Sequence, residues 1–197
     1  MATPPDFTAG QVLTAAQMNA VGMWRITTCT IDASAGGTAP TATDGVITVG
    51  SANTSITVAN AFNADFDNYR IIISGIDFSS GGSLQAFRIG TTATGYFGTA
   101  YAHLYTGSPS QFFNGNNATS ANIFIGGTES DTFVSIDVAA PFLARRKSFT
   151  GMFSATGYSG WFSMTNTSLA TATDKFMIVA LAGSMTGGEI RVYGYNS

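Results

Sequence analysis

Short runs of Ile, Val, Thr and aromatic residues, each soon closed by glycine or asparagine, leave this chain almost no room for helices. Trp24 to Ile31, Gly45 to Val49 and Ser55 to Ala59 are such runs, punctuated by Gly36-Gly37, Gly50 and Asn53. β-Branched side chains suit a pleated surface and lose rotamer freedom in a helix, while Gly and Asn supply tight turns. Tyr69 to Ile76 carries Ile71, Ile72, Ile73 and Ile76, and so reads as a central strand buried on both faces. Phe176 to Ala182 reads the same way. Thr132 to Val138 alternates, with Val134, Ile136 and Val138 on one face and Ser135 and Asp137 on the other. Further strands are expected at 84–89, 96–105, 121–125, 148–155, 160–165 and 189–195. Turn signals fall at Gly81-Gly82, Asn114 to Asn117, Gly126-Gly127, Gly157 to Gly160 and Gly187-Gly188. Strands at this spacing, without alternating helices, predict an all-β domain over 24–197: an antiparallel β-sandwich, jelly-roll-like.

One segment ahead of that domain departs from the pattern. In QVLTAAQMNAVG, Thr14 is an N-cap with Gln17 three residues on, and Leu13 and Met18 form the hydrophobic staple. Ala15 and Ala16 favour helix and Gly22 supplies the left-handed stop. A helix that short is marginal alone in water, so it must pack on something. Residues 1–12, with Pro4, Pro5 and Gly10, read as an extended arm, which makes 1–23 a separate unit.

Composition narrows the function. Only 10% of residues are charged, against roughly 25% in an ordinary domain. A surface of neutral hydroxyls and amides, or one hidden against other subunits, accounts for this. The net charge of −3 argues against nucleic acid, which selects a basic footprint. No run approaches the ~18 apolar residues of a membrane span, and MATPPDFTAG shows no secretory signal. The single Cys29 excludes an intramolecular disulfide framework and a multi-cysteine metal site, and reads as a small buried hydrophobe.

No catalytic motif stands out, and the chain is expected to be neither an enzyme nor a cofactor binder. Asn63, Asp65, Asp67 and Asn68 alternate like calcium ligands. Asn68 and Ser74 stand where the EF-hand glycine and glutamate belong, however, and such residues also make a plain turn. Glu129 and Asp131 lie close enough for a glycosidase pair, yet nothing around them builds a sugar cleft. His103 is the one histidine, so any Ser-His-Asp triad would need it, and no nucleophile elbow accompanies it. It shares a strand face with Phe97, Tyr101 and Tyr105, opposite Ala100, Ala102 and Leu104. Four bulky groups against three smaller ones predict that the odd-numbered face is buried, with a carbohydrate platform as the other reading. Candidate contacts then fall to the loops at Asn114, Asn116 and Asn117 and at Tyr158 and Trp161. Arg145-Arg146-Lys147, the one basic run, reads as a solvated turn.

Three stretches resemble known proteins. FTAGQVLTAAQMNAVGMW (7–24) resembles the N-terminal segment of bacteriophage tail-fibre and tail-tip proteins, where it anchors the chain to the virion. FDNYRIIISGIDF (66–78) resembles the first long core strand of phage fibre and receptor-binding domains, and GGEIRVYGYNS (187–197) resembles their ending. Residues 79–175 carry no part of the resemblance. It implies a virion protein, a tail fibre or receptor-binding component. Leu13, Thr14, Gln17, Met18, Val21 and Met23 would anchor it to other virion proteins. A homotrimer and a host-surface glycan as target are the further expectations, with no nucleic acid and no membrane insertion. A head-decoration or head-fibre protein stabilising the capsid is the alternative within virions. A small polysaccharide depolymerase is the alternative from another class.

Overall fold

A computed structural model describes residues 22–80, 84–105, 109–125, 128, 132–168 and 171–196. Among them the chain is all β, and every strand pairing is antiparallel. The larger sheet runs in the order β10 (Pro109–Ala118), β9 (Tyr96–Leu104), β14 (Tyr158–Asn166), β13 (Lys147–Ala155) and β12 (Phe133–Ala139). It continues through β6 (Asn68–Ser74), β17 (Glu189–Tyr195), β4 (Val46–Thr48) and β3 (Thr41–Thr43), and β1 (Trp24–Arg25) also pairs with β17. The smaller sheet is β11 (Ala121–Ile125), β8 (Leu84–Ile89), β15 (Phe176–Ala180), β5 (Ser55–Ala59) and β2 (Thr30–Ala35). A two-stranded ribbon pairs β7 (Asp77–Phe78) with β16 (Met185–Thr186). The predicted helix after Thr14 lies outside the described residues.

The inner faces of the two sheets meet in one core. Phe87 on β8 packs against Phe149 on β13 with ring centroids 5.2 Å apart, and against Phe176 on β15 at 5.6 Å. Phe124 on β11 reaches Phe153 on β13 at 6.5 Å. Between β9, β14, β13 and β12 this face is a checkerboard of large and small residues. One row across the strands reads Ala102, Gly160, Phe153, Val134, and the next reads Ala100, Phe162, Gly151, Ile136. Each ring lies over a small neighbour, which is how a close-packed interior accommodates bulky groups without voids.

That pattern reverses the expectation for 96–105. Ala100 and Ala102 are the buried residues, whereas Tyr101 is half-buried and His103 and Tyr105 are exposed. Summed side-chain bulk misjudges the face because Phe153 and Phe162 of neighbouring strands already fill the interior. Three other expectations shift. Trp24 to Ile31 is not one strand: β1 joins the larger sheet, β2 the smaller, and buried Ile26 and Cys29 lie between them. β6 alternates strictly, so Ile72 lies half-buried on the outer face instead of in a second core. Lys147 leaves its solvated neighbours Arg145 and Arg146 and is fully buried at the start of β13. Its Nζ donates to the Leu143 carbonyl, and desolvation, with Arg145 adding repulsion, holds its pKa below the usual lysine range.

Buried acids fix how stability responds to alkali. Burial pushes the Cys29 thiol from 9.0 up to about 12, against a smaller opposing backbone hydrogen bond. Burial likewise raises Tyr69, from 10.0 to about 12, and Tyr96. Their hydroxyls stay neutral and satisfied: Tyr69 donates to the Asn63 carbonyl at 2.8 Å, and Tyr96 to that of Thr92 at 2.9 Å. Below pH 9 the thiol is protonated in both folded and unfolded chains. Above it the unfolded chain ionises first, so stability falls by about 1 kcal/mol per pH unit. Between pH 9 and 10 the two buried phenols add about 0.3 kcal/mol each, less than the thiol does. Cys29→Ala is therefore expected to flatten the fall in urea midpoint over that interval. An unchanged slope refutes the assignment.

Candidate functional site

The outward face of the larger sheet follows from the same alternation. One row across the strands reads Tyr101, Trp161, Met152, Ser135, Ile72, Arg191. The adjacent row reads His103, Ser159, Ser154, Phe133, Ser74, Glu189. On the other side lie Thr99, Ser163, Thr150, Asp137, Arg70 and Tyr193. Against this field of hydroxyls, Trp161 (53% exposed), Met152 (63%) and Phe133 (43%) form an exposed apolar patch. Such a patch marks an interaction surface more than a stability device.

Two shallow concavities of the face border this patch. The first, about 500 Å³, is lined by Tyr101, His103, Met152, Ser159 and Trp161. Its floor is rigid, because Trp161 stacks on Tyr101 with centroids 5.5 Å apart and planes 18° from parallel. His103 closes one side, with Nδ1 2.8 Å from the Leu104 carbonyl oxygen. The second, about 560 Å³, is lined by Met23, Ile72, Phe133, Ser135, Met152 and Tyr193 beside Arg70 and Asp137. Arg70 donates through Nε and Nη2 to the two Asp137 carboxylate oxygens, both at 2.8 Å. The hydrogen bond to Asp137 raises the Arg70 pKa. Tyr195 donates to Asp137 at 3.4 Å, and burial followed by the Asp137 charge raises its phenol pKa. Arg191 donates through Nη2 alone to Glu189 Oε2. Arg70 and Asp137, and Arg191 and Glu189, are thus matched within the face.

The sequence-predicted residues distribute unevenly. Trp161 is at the centre of the patch, but in mid-strand and not in a loop. Tyr158 starts β14 opposite Leu104 and packs half-buried against the core. Asn114, Asn116 and Asn117 also belong to a strand, the edge strand β10, where Asn114 pairs with Thr99. Asn116 and Asn117 are exposed. Asn117 sits at a register shift with φ 58°, its Oδ1 accepting from the Gly95 amide at 3.1 Å. Of the anchor residues, Met23 is exposed and lines the second concavity, while Leu13, Thr14, Gln17, Met18 and Val21 lie outside the described residues. Glu129 and Asp131 lie outside them too. Asn63 serves as a turn former: its Oδ1 accepts from the Asp65 amide at 2.9 Å, and its backbone amide donates to the Tyr69 hydroxyl at 2.7 Å. Among the described residues no three His, Cys, Asp or Glu side chains gather as a metal set.

Sequence reasoning missed Met152, Phe133 and Ile72. A signal for Met152 existed: in Ser148, Thr150, Met152, Ser154 one apolar residue interrupts an otherwise hydroxylic face. A stacked aromatic pair flanked by hydroxyls and an imidazole can lie against a sugar ring face and hydrogen-bond its edge. Compared with known protein families, curated proteins and solved structures, the chain matches none.

Proposed function

We propose that this chain is a structural, non-enzymatic component of a bacteriophage particle. It is a tail-fibre or receptor-binding protein that docks through residues 1–23 and presents its β domain to a host-surface glycan. The observation that carries the reading is the Tyr101–Trp161 stack, held open on a strand face. An aromatic pair on regular strands is preorganised, so little ordering entropy opposes binding. Cis pairing of Arg70 with Asp137 and of Arg191 with Glu189 favours a neutral sugar over a charged polymer. The resemblance of 7–24 to fibre anchors supports the virion setting. On this reading the two facing sheets are the β-sandwich of a fibre domain, jelly-roll-like in the way the chain passes repeatedly from one sheet to the other. Three copies around an axis are the expected assembly.

The test is binding of the purified chain to an array of bacterial surface polysaccharides. Binding of at least one neutral glycan is expected, and Trp161→Ala should weaken it about tenfold, as loss of one stacking anchor does. Because Trp161 is exposed, its melting temperature should move by no more than about 2 °C. Absence of binding to any glycan refutes the attachment role. Binding unaffected by Trp161→Ala moves the site elsewhere.

A further inference from the structure

The second concavity continues the first. Resting on the attachment reading and deepening it, we infer that the glycan site is a cleft running across the strands from Trp161 to Ile72. Its ligand is a linear stretch of neutral polysaccharide several sugars long, not one terminal sugar. Met152 lines both concavities and so joins them. Beyond Met152 the outward row steps down to Ser135 before it rises again at Ile72. On β12 itself, Phe133 stands two residues to one side of Ser135 and Asp137 two residues to the other, all on the outward face. A small floor between a ring and a carboxylate makes a groove, and all three residues line the second concavity.

Length and chemistry fix the ligand class. Trp161 on β14 and Ile72 on β6 stand three strand spacings apart, about 14 Å. No single sugar ring covers that span. The groove repeats what the first concavity offers, an apolar surface beside polar groups. Phe133 and Met152 give apolar contact, while Ser135, Asp137 and Arg70 present hydroxyl, carboxylate and guanidinium to sugar hydroxyls. Arg70 binds Asp137 through Nε and Nη2, two of the five N–H groups of a guanidinium, so donors remain for a ligand. The same pairing holds both side chains in place, so little further ordering opposes binding. A charged polymer would compete with that pair, whereas a neutral one leaves it intact.

The test uses the full chain and two fragments of the neutral polysaccharide it binds on the array, a disaccharide and a hexasaccharide, with affinity read by titration calorimetry. The disaccharide reaches only the Tyr101–Trp161 platform, so the hexasaccharide should bind at least about tenfold more tightly. Phe133→Ala should remove most of that advantage while leaving disaccharide affinity within about twofold. Ser135→Phe, which fills the floor of the groove, should do the same. Both residues face outward, so melting temperatures within about 2 °C of the unaltered chain establish that each variant is folded. Trp161→Ala should weaken both fragments. Equal affinity for the two fragments overturns the inference and leaves the attachment reading standing. So does a hexasaccharide advantage that survives both groove variants, or a loss in folded Phe133→Ala that falls equally on both fragments. Binding of no glycan at all overturns the attachment reading and the extended cleft together.

Discussion

Gly160→Ala is expected to destabilise the protein by about 3 kcal/mol or more, beyond most single substitutions, because overpacking here cannot relax. A Cβ built at Gly160 comes 1.9 Å from the Tyr101 carbonyl oxygen and 2.6 Å from the Phe153 ring. The first contact is backbone, so no rotamer change removes it. The second is Phe153 itself, which lies over Gly160 as the large member of its pair and is buried. Gly151 has the reciprocal arrangement, with the Ser135 carbonyl oxygen at 2.0 Å and Phe162 at 2.5 Å. Both glycines thus set how closely β13 and β14 approach their neighbours. For a chain of this length the loss corresponds to a fall in melting temperature of about 10 °C. A fall of less than about 3 °C would mean that the strands separate easily and the checkerboard is not tightly packed. Gly160 lies beside the Tyr101–Trp161 stack, so the same variant should also loosen the glycan platform. Trp161→Ala, by contrast, should weaken binding without unfolding.

Most strands were legible because their signal is local. The β5, β8, β11 and β17 spans coincide with the predicted runs, and Val134, Ile136 and Val138 point inward on β12 as alternation requires. What failed depended on neighbours that sequence order does not reveal. Tyr101 and His103 face outward because Phe162 and Phe153, some fifty residues later, fill the interior opposite Ala100 and Ala102. The Asn114 to Asn117 stretch looked like a turn, and β10 bends there through Asn117 at φ 58° while still pairing with β9. Lys147 followed two arginines and was read as solvated. It starts β13 with inward parity, beside buried Phe149, so the strand's register overrides its charge. The candidate site was half legible for the same reason. Trp161 and Tyr101 were visible as aromatics, but their stacking needs β9 and β14 side by side, a pairing between strands far apart in sequence.

Phe87→Ala should cost about 3–5 kcal/mol, in the range of large-to-small core changes at sites that cannot collapse. Phe87 is fully buried and is a ring that touches both sheets, Phe149 at 5.2 Å across the interior and Phe176 at 5.6 Å on its own sheet. Strand hydrogen bonds hold each sheet together, but only such side chains hold one sheet to the other. If the two sheets share a single core, unfolding in urea stays one cooperative transition as the midpoint falls, since loss of that contact weakens both sheets together. Combining Phe87→Ala with Phe149→Ala should then cost less than the sum of the two, by about 1 kcal/mol, because the second truncation no longer removes a ring contact. Strict additivity, or a transition that splits in two, would mean that the sheets fold independently and that Phe87 merely fills space. Phe133→Ala is the internal contrast. It removes a ring of equal size from the outer face, so its effect on the isolated chain should be at most about 1 kcal/mol. The same pair of substitutions thus separates rings that build the fold from rings the fold displays.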